Sequence, residues 1–172
     1  KNSFLGGLDD DLNMSMNRII FPEPDNVQGV TEALLNRGGA DVCYGGFGIT
    51  GHFAFNDPPE PGEHMTIEEM RNTTARVLTI SRESTTQMAM GGSYGNWEIL
   101  PRQAVSLGMK EMLASRYIHL TFMRDWHAGI FRRALFGEVS VDCPGSLIQE
   151  HPNVRVTLTR LAARTPVMDV SQ

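Results

Sequence analysis

The sequence predicts an α/β domain built on a mostly parallel sheet, and three observations carry that expectation. Short β-branched or apolar runs alternate with short helical stretches along the chain, the order that builds strand–helix units. A length of 172 residues suits one core, so residues 1–172 read as a single α/β domain. An apolar strand, 41–44, runs straight into a glycine-dense loop, the usual place for a binding site in such a fold.

Taken in order, residues 3–17 suggest a short helix weakened by Gly6-Gly7 and the Asp9–Asp11 run. Two prolines make 21–25 a turn. Thr31 is expected to cap a helix over 32–36 that Gly38-Gly39 end. After the glycine loop, Pro58, Pro59 and Pro61 stiffen a surface loop. Thr66-Ile-Glu-Glu then gives a capping-box start to a helix ending near Asn72. Alternation predicts a strand over 76–81, followed by a polar stretch to Gly91-Gly92 and a loop through Tyr94, Trp97 and Pro101.

A strand over 103–107 precedes a short helix over 109–114, with Lys110 and Glu111 expected on its wet side. Residues 117–123 form another strand, in which His119 is expected to be a core or interface residue. Asp125 caps a helix over 126–136 closed by Gly137. Cys143-Pro-Gly turns the chain into a brief helix over 146–150, and 154–159 alternate as the last strand before a frayed tail from Ala163. Met88, Met90, Met109 and Met112 read as core filler.

Composition excludes several classes. Hydrophobic residues make up 41% and charged residues 20%, an ordinary globular balance, and the net charge of −5 lacks the basic stripe that nucleic acid needs. No apolar run approaches a membrane span, and no signal-peptide core is visible. Cys43 and Cys143 stand far apart and read as buried free thiols of the cytoplasm. The chain opens at Lys1 without the strand that should begin such a domain, so a fragment is expected.

The chemistry concentrates in residues 45–57. Gly45, Gly46, Gly48 and Gly51 let backbone amides approach a ligand, and His52 beside them can give and take a proton near neutral pH. Gly46-Phe-Gly-Ile-Thr-Gly matches the dinucleotide spacing, but no helix opens at Gly51 before Pro58-Pro59, which excludes that reading. A metal set of His52, Asp57 and His64 fits no established ligand spacing, so neither metal nor organic cofactor is expected.

The phrase Gly-Gly-Phe-Gly-Ile-Thr-Gly-His-Phe-Ala-Phe-Asn-Asp-Pro, residues 45–58, resembles the active-site signature of the glucosamine-6-phosphate deaminase/isomerase family. The related 6-phosphogluconolactonases share its first half, and Ala54-Phe55-Asn56 tips the resemblance towards the deaminases. Looser similarity extends through 74–82, 101–109, the helix after Trp126 and 146–152. The resemblance implies a three-layer, Rossmann-like α/β/α sandwich lacking its N-terminal part, which in the family supplies a phosphate loop and a proton-shuttling carboxylate.

It implies further that His52 opens the sugar ring and that Asp57, in place of a family glutamate, tunes it. Thr50 stands where the family has an aspartate. Arg82 aligns with a phosphate-binding arginine, and His127 takes the place of a phosphate-binding lysine. The activity implied is conversion of an amino-sugar 6-phosphate to a ketose 6-phosphate plus ammonia, by a cytoplasmic homo-oligomer. A lactonase-like hydrolase and a non-catalytic sugar-phosphate-binding paralogue are the alternatives. Acidic Glu60 and Glu68 argue against a regulatory phosphate site in the loop after Asp57.

Overall fold

The computed structural model describes residues 14–15 and 18–166. Nearly all of the helix expected over 3–17 lies outside them. Three parallel strands form the central sheet: β1 (Cys43–Gly45), β4 (Ile118–Phe122) and β5 (Val154–Leu158), in the order β1-β4-β5. Cys43 stands opposite Ile118, and Ile118 opposite Val154, so alternate residues share a face across all three strands.

One face carries Ile118, Leu120 and Phe122, all buried, with Val154, Val156 and Leu158 beside them. α5 (His127–Phe136) lays Ile130, Phe131 and Ala134 against it, the i, i+1, i+4 stripe of an amphipathic helix. The 3-10 helix Pro144–Glu150 adds Leu147 and Ile148. Met70 of α2 (Ile67–Arg71) and Met109 and Met112 of α4 (Met109–Leu113) complete that core. The opposite face, with Tyr44, Thr121, Arg155 and Thr157, is exposed. His119 is half-buried there rather than in the core, its Nε2 2.8 Å from Thr157 Oγ1.

The remaining strands depart from a wholly parallel sheet. β2 (Arg76–Thr79) and β3 (Gln103–Ser106) pair antiparallel in a separate two-stranded ribbon, Arg76 opposite Ser106. Between them the chain runs through a helix, α3 (Arg82–Gly92), and the loop over 93–102.

Other elements shift for local reasons. α1 runs over Val27–Leu35, so Thr31 sits inside it instead of capping it. Its hydroxyl donates to Glu111 Oε1. Glu111 is correspondingly buried, not wet: its carboxylate also accepts from the backbone N–H groups of Ala75 (2.8 Å) and Gly108 (3.0 Å). Three donors make this burial tolerable and pin α1, β2 and α4 together. The Thr66 capping box forms as expected. Asp125 does not cap α5: the N-cap is Trp126, with no side-chain cap hydrogen bond, and Asp125 Oδ1 only accepts from Trp126 N at 2.8 Å.

Thr159 caps a short helix, α6 (Arg160–Ala163), whose Ala162 is fully buried, between the last strand and the tail expected from Ala163. Met109 and Met112 are core, whereas Met90 is exposed. Cys143 is a buried free thiol and Cys43 a half-buried one, and burial raises the pKa of both.

Candidate active site

The glycine loop leaves β1 and is anchored before it reaches the histidine. Phe47 packs against Phe53 and Phe122, at ring-centroid distances of 5.8 and 5.2 Å. Between the two anchors the chain closes a tight turn, with Gly51 N donating to Gly48 O and Gly48 N to His52 O. Gly51 adopts φ +85°, which a side chain would strain, and a Cβ there would stand 2.5 Å from Cys143 Sγ.

Beyond His52, Ala54 is held in the left-handed region at φ +54°, an unusual conformation for a non-glycine residue. Asn56, fully buried, closes the loop: its amide donates to Phe53 O and Leu107 O, and its carbonyl accepts from Thr73 and Arg76. Both ends of the segment that carries His52 and Asp57 are therefore fixed.

His52 is buried, at 7% exposure, and its Nδ1 lies 2.7 Å from Asp57 Oδ1. Thr50 Oγ1 donates to the same oxygen at 2.7 Å. Ser84 Oγ, from α3, stands 3.0 Å from each Asp57 oxygen and 3.0 Å from His52 Nδ1. Burial alone would raise the Asp57 carboxyl. The hydrogen bonds and charge of His52, with hydrogen bonds from Thr50 and Ser81, outweigh it and hold the group below the usual carboxylate range.

An ionised carboxylate can only accept, so the bridging proton belongs to Nδ1 and, in the neutral ring, the lone pair to Nε2. No protein hydrogen bond to Nε2 occurs among the described residues; that edge of the ring meets Gly48, where a Cβ would fall 2.0 Å from Nε2 and Cε1. The arrangement is an oriented acid–base histidine with its second nitrogen uncommitted.

α3 braces the loop at two points one turn apart. Ser84 reaches the dyad, and Gln87 Oε1 accepts from Ile49 N at 2.6 Å. Beside Ile49 and Gln87 opens a cavity of about 770 Å³, lined also by Met88, Ser93, Arg124 and Trp126. His52 is not itself among the lining residues.

The structure gathers His52, Asp57, Thr50, Gly48 and Gly51, and it separates the remaining expected site residues. The space a side chain would need at Gly45 is filled by Phe53, and at Gly46 by the carbonyl of Thr121, so these two glycines serve packing. Arg82 lies two residues from Ser84, on another face of α3, and lines a different cavity. His127 is buried, and its Nδ1 accepts from the N–H groups of Met123 and Arg124. Burial lowers its pKa, only partly countered by backbone hydrogen bonds, so the ring is a neutral tie rather than a cation. Among the described residues no group of three or more His, Cys, Asp or Glu is gathered for a metal, and His64 is exposed.

The residues missed from sequence are Ser84 and Gln87, because α3 was read as a polar stretch. Its signal was present: Ser81 as a cap, then nine residues free of glycine and proline. Thr85-Thr86 and the terminal glycines obscured it.

No protein-family model matches the chain. Glucosamine-6-phosphate deaminase 2 of Bacillus subtilis is 32% identical over 160 residues, covering 89% of this chain and 60% of that protein. The glucosamine-6-phosphate deaminase of Halothermothrix orenii is 30% identical over 148 residues, covering 81% and 57%. The chain is a relative of the glucosamine-6-phosphate deaminases. It spans roughly three-fifths of the length of these two relatives.

A solved monomeric glucosamine-6-phosphate deaminase of the NagB superfamily superposes with a TM-score of 0.66 at 25% identity, covering 81% of this chain and 53% of that one. The 6-phosphogluconolactonase of Trypanosoma brucei shares the fold, with a TM-score of 0.51 at 15% identity over 84% and 55%. The deaminase likeness is thus the stronger in both sequence and structure, and the α/β fold class follows from it. No helix among the described residues is long and apolar enough to cross a membrane.

Proposed function

We propose that this chain carries the ring-opening centre of a deaminase/isomerase acting on an amino-sugar 6-phosphate of the glucosamine-6-phosphate type. One observation carries the reading: His52 Nδ1 is tied to an ionised Asp57, which leaves Nε2 as the ring nitrogen without a protein hydrogen bond among the described residues. Nε2 takes the proton of the C1 hydroxyl and returns it to the ring oxygen, opening the pyranose. Asp57 stabilises the imidazolium formed between those transfers, and Thr50 and Ser84 hold the carboxylate in place.

Proton transfer from C2 to C1 through an enolamine follows, on a further carboxylate. The resulting C2 imine adds water and releases ammonia. Proton transfers and hydration need neither metal nor organic cofactor. The phosphate end is assigned to the cavity beside Ile49, where Arg124 supplies a guanidinium next to Asp125 in the same lining. Gly48 makes room for the His52 ring, and Gly51 lets the loop pass against Cys143. The single-domain organisation, cytoplasmic location and homo-oligomeric state expected from sequence are part of the same proposal.

The test is ammonia release from glucosamine 6-phosphate by the full protein, alongside hydrolysis of 6-phosphogluconolactone. Turnover of the amino sugar that falls at least about a hundredfold in His52→Gln supports the proposal. Lactone hydrolysis without ammonia, or sugar-phosphate binding without turnover, overturns it.

A further inference from the structure

A second cavity, of about 490 Å³, lies between the outer side of α3 and the returning loop before β3. Its apolar lining comes from Ile80, Ala89, Met90, Trp97 and Leu100. Two arginines reach it, Arg82 from the first turn of α3 and Arg102 just ahead of β3, and no carboxylate lines it. Among the described residues neither guanidinium belongs to an ion pair. Arg102 instead stands over the Trp97 indole, its Cζ 5.9 Å from the ring centroid.

This is a local excess of two positive charges in a chain whose net charge is −5. Two uncompensated guanidiniums above an apolar, indole-bearing floor are complementary to a ligand with an anionic group at one end and a flat apolar body at the other. Thr85 and Thr86 do not compete for such an anion, because they donate their hydroxyls to Ser81 O and Arg82 O within the helix.

We propose that this cavity is a second binding site, separate from the one served by His52, for a small organic anion with an aromatic or apolar body. The two cavities share only Met90 and Leu100 in their linings, so the sites are neighbours that can be filled independently. α3 separates them, presenting Gln87 and Met88 to one and Arg82, Thr85 and Ala89 to the other.

Phenyl phosphate is the probe. Its binding to the full protein is followed by calorimetry and by quenching of tryptophan fluorescence, with inorganic phosphate and benzyl alcohol as the two half-ligands. Phenyl phosphate is expected to bind saturably and at least about tenfold more tightly than either half-ligand. Arg82→Gln and Arg102→Gln each weaken it by about tenfold or more, because a charge-assisted hydrogen bond is lost. Trp97→Phe removes most of the quenching. Both arginines are exposed, so these variants are expected to fold.

Glucosamine 6-phosphate at saturation is expected to leave phenyl phosphate binding unchanged. Absence of saturable binding, equal affinity for inorganic phosphate, or insensitivity to both arginine substitutions overturns the proposal. So does displacement by glucosamine 6-phosphate, which would make the cavity part of the substrate site. Each of these results is read from binding and stands whether or not the protein releases ammonia.

Discussion

Gly48→Ala isolates the close approach between the loop and the imidazole. The backbone at Gly48 is not in the left-handed region, so alanine brings no conformational strain there. It brings only a methyl group, placed 2.0 Å from Nε2 and Cε1 of His52. Carbon contacts are comfortable at about 3.5–4.0 Å, so the ring must retreat by roughly 1.5 Å. It has little room, being 7% exposed and tied through Nδ1 to Asp57 at 2.7 Å.

Displacement of that size at a reacting nitrogen costs about a hundredfold in rate, and the added methyl about 1–3 kcal/mol of stability. The assay is ammonia release from glucosamine 6-phosphate, run well below the melting temperature so that loss of fold is not read as loss of chemistry. A kcat within about twofold of the parent, in a folded Gly48→Ala protein, would refute the claim that the ring must sit where it does.

Acid stability follows from the depressed Asp57. A carboxyl whose folded pKa lies below its unfolded value contributes stability that is complete above the ordinary carboxylate range and is lost as pH falls through the lower folded value. Asp57→Asn should therefore be less stable at neutral pH and lose less on acidification than the parent, as denaturant unfolding at a series of pH values would show. Ser84→Ala keeps the dyad's direct contact but removes the hydroxyl that meets both carboxylate oxygens. We expect kcat to fall about tenfold with KM little changed, and stability to drop by about 1–3 kcal/mol; an unchanged kcat would leave Ser84 with a packing role only.

What the sequence disclosed were features written in local spacing. The glycine phrase, His52 and Asp57, the Thr66 capping box and the strands of the central sheet all follow from residue type at fixed intervals. What it hid depends on partners distant along the chain. Nothing near Glu111 announces that Thr31, 80 positions away, will satisfy its carboxylate, so a charged residue on a short helix reads as solvated. Ser84 becomes part of the site only once α3 swings back over the loop, 32 positions from His52. Arg82 and His127 were placed by resemblance. Helical phase carries the first away from His52, and burial against backbone amides occupies the second.

The central claim is that Asp57 holds the His52 proton on one ring nitrogen and leaves the other bare. Nitrogen-15 NMR of the histidine rings, assigned by comparison with His52→Gln, reads this directly. For His52 the neutral ring should show a pyrrole-type Nδ1 and a pyridine-type Nε2, with Asp57→Asn relaxing that preference. A protonated Nε2 facing an unprotonated Nδ1 in the neutral ring would contradict the account.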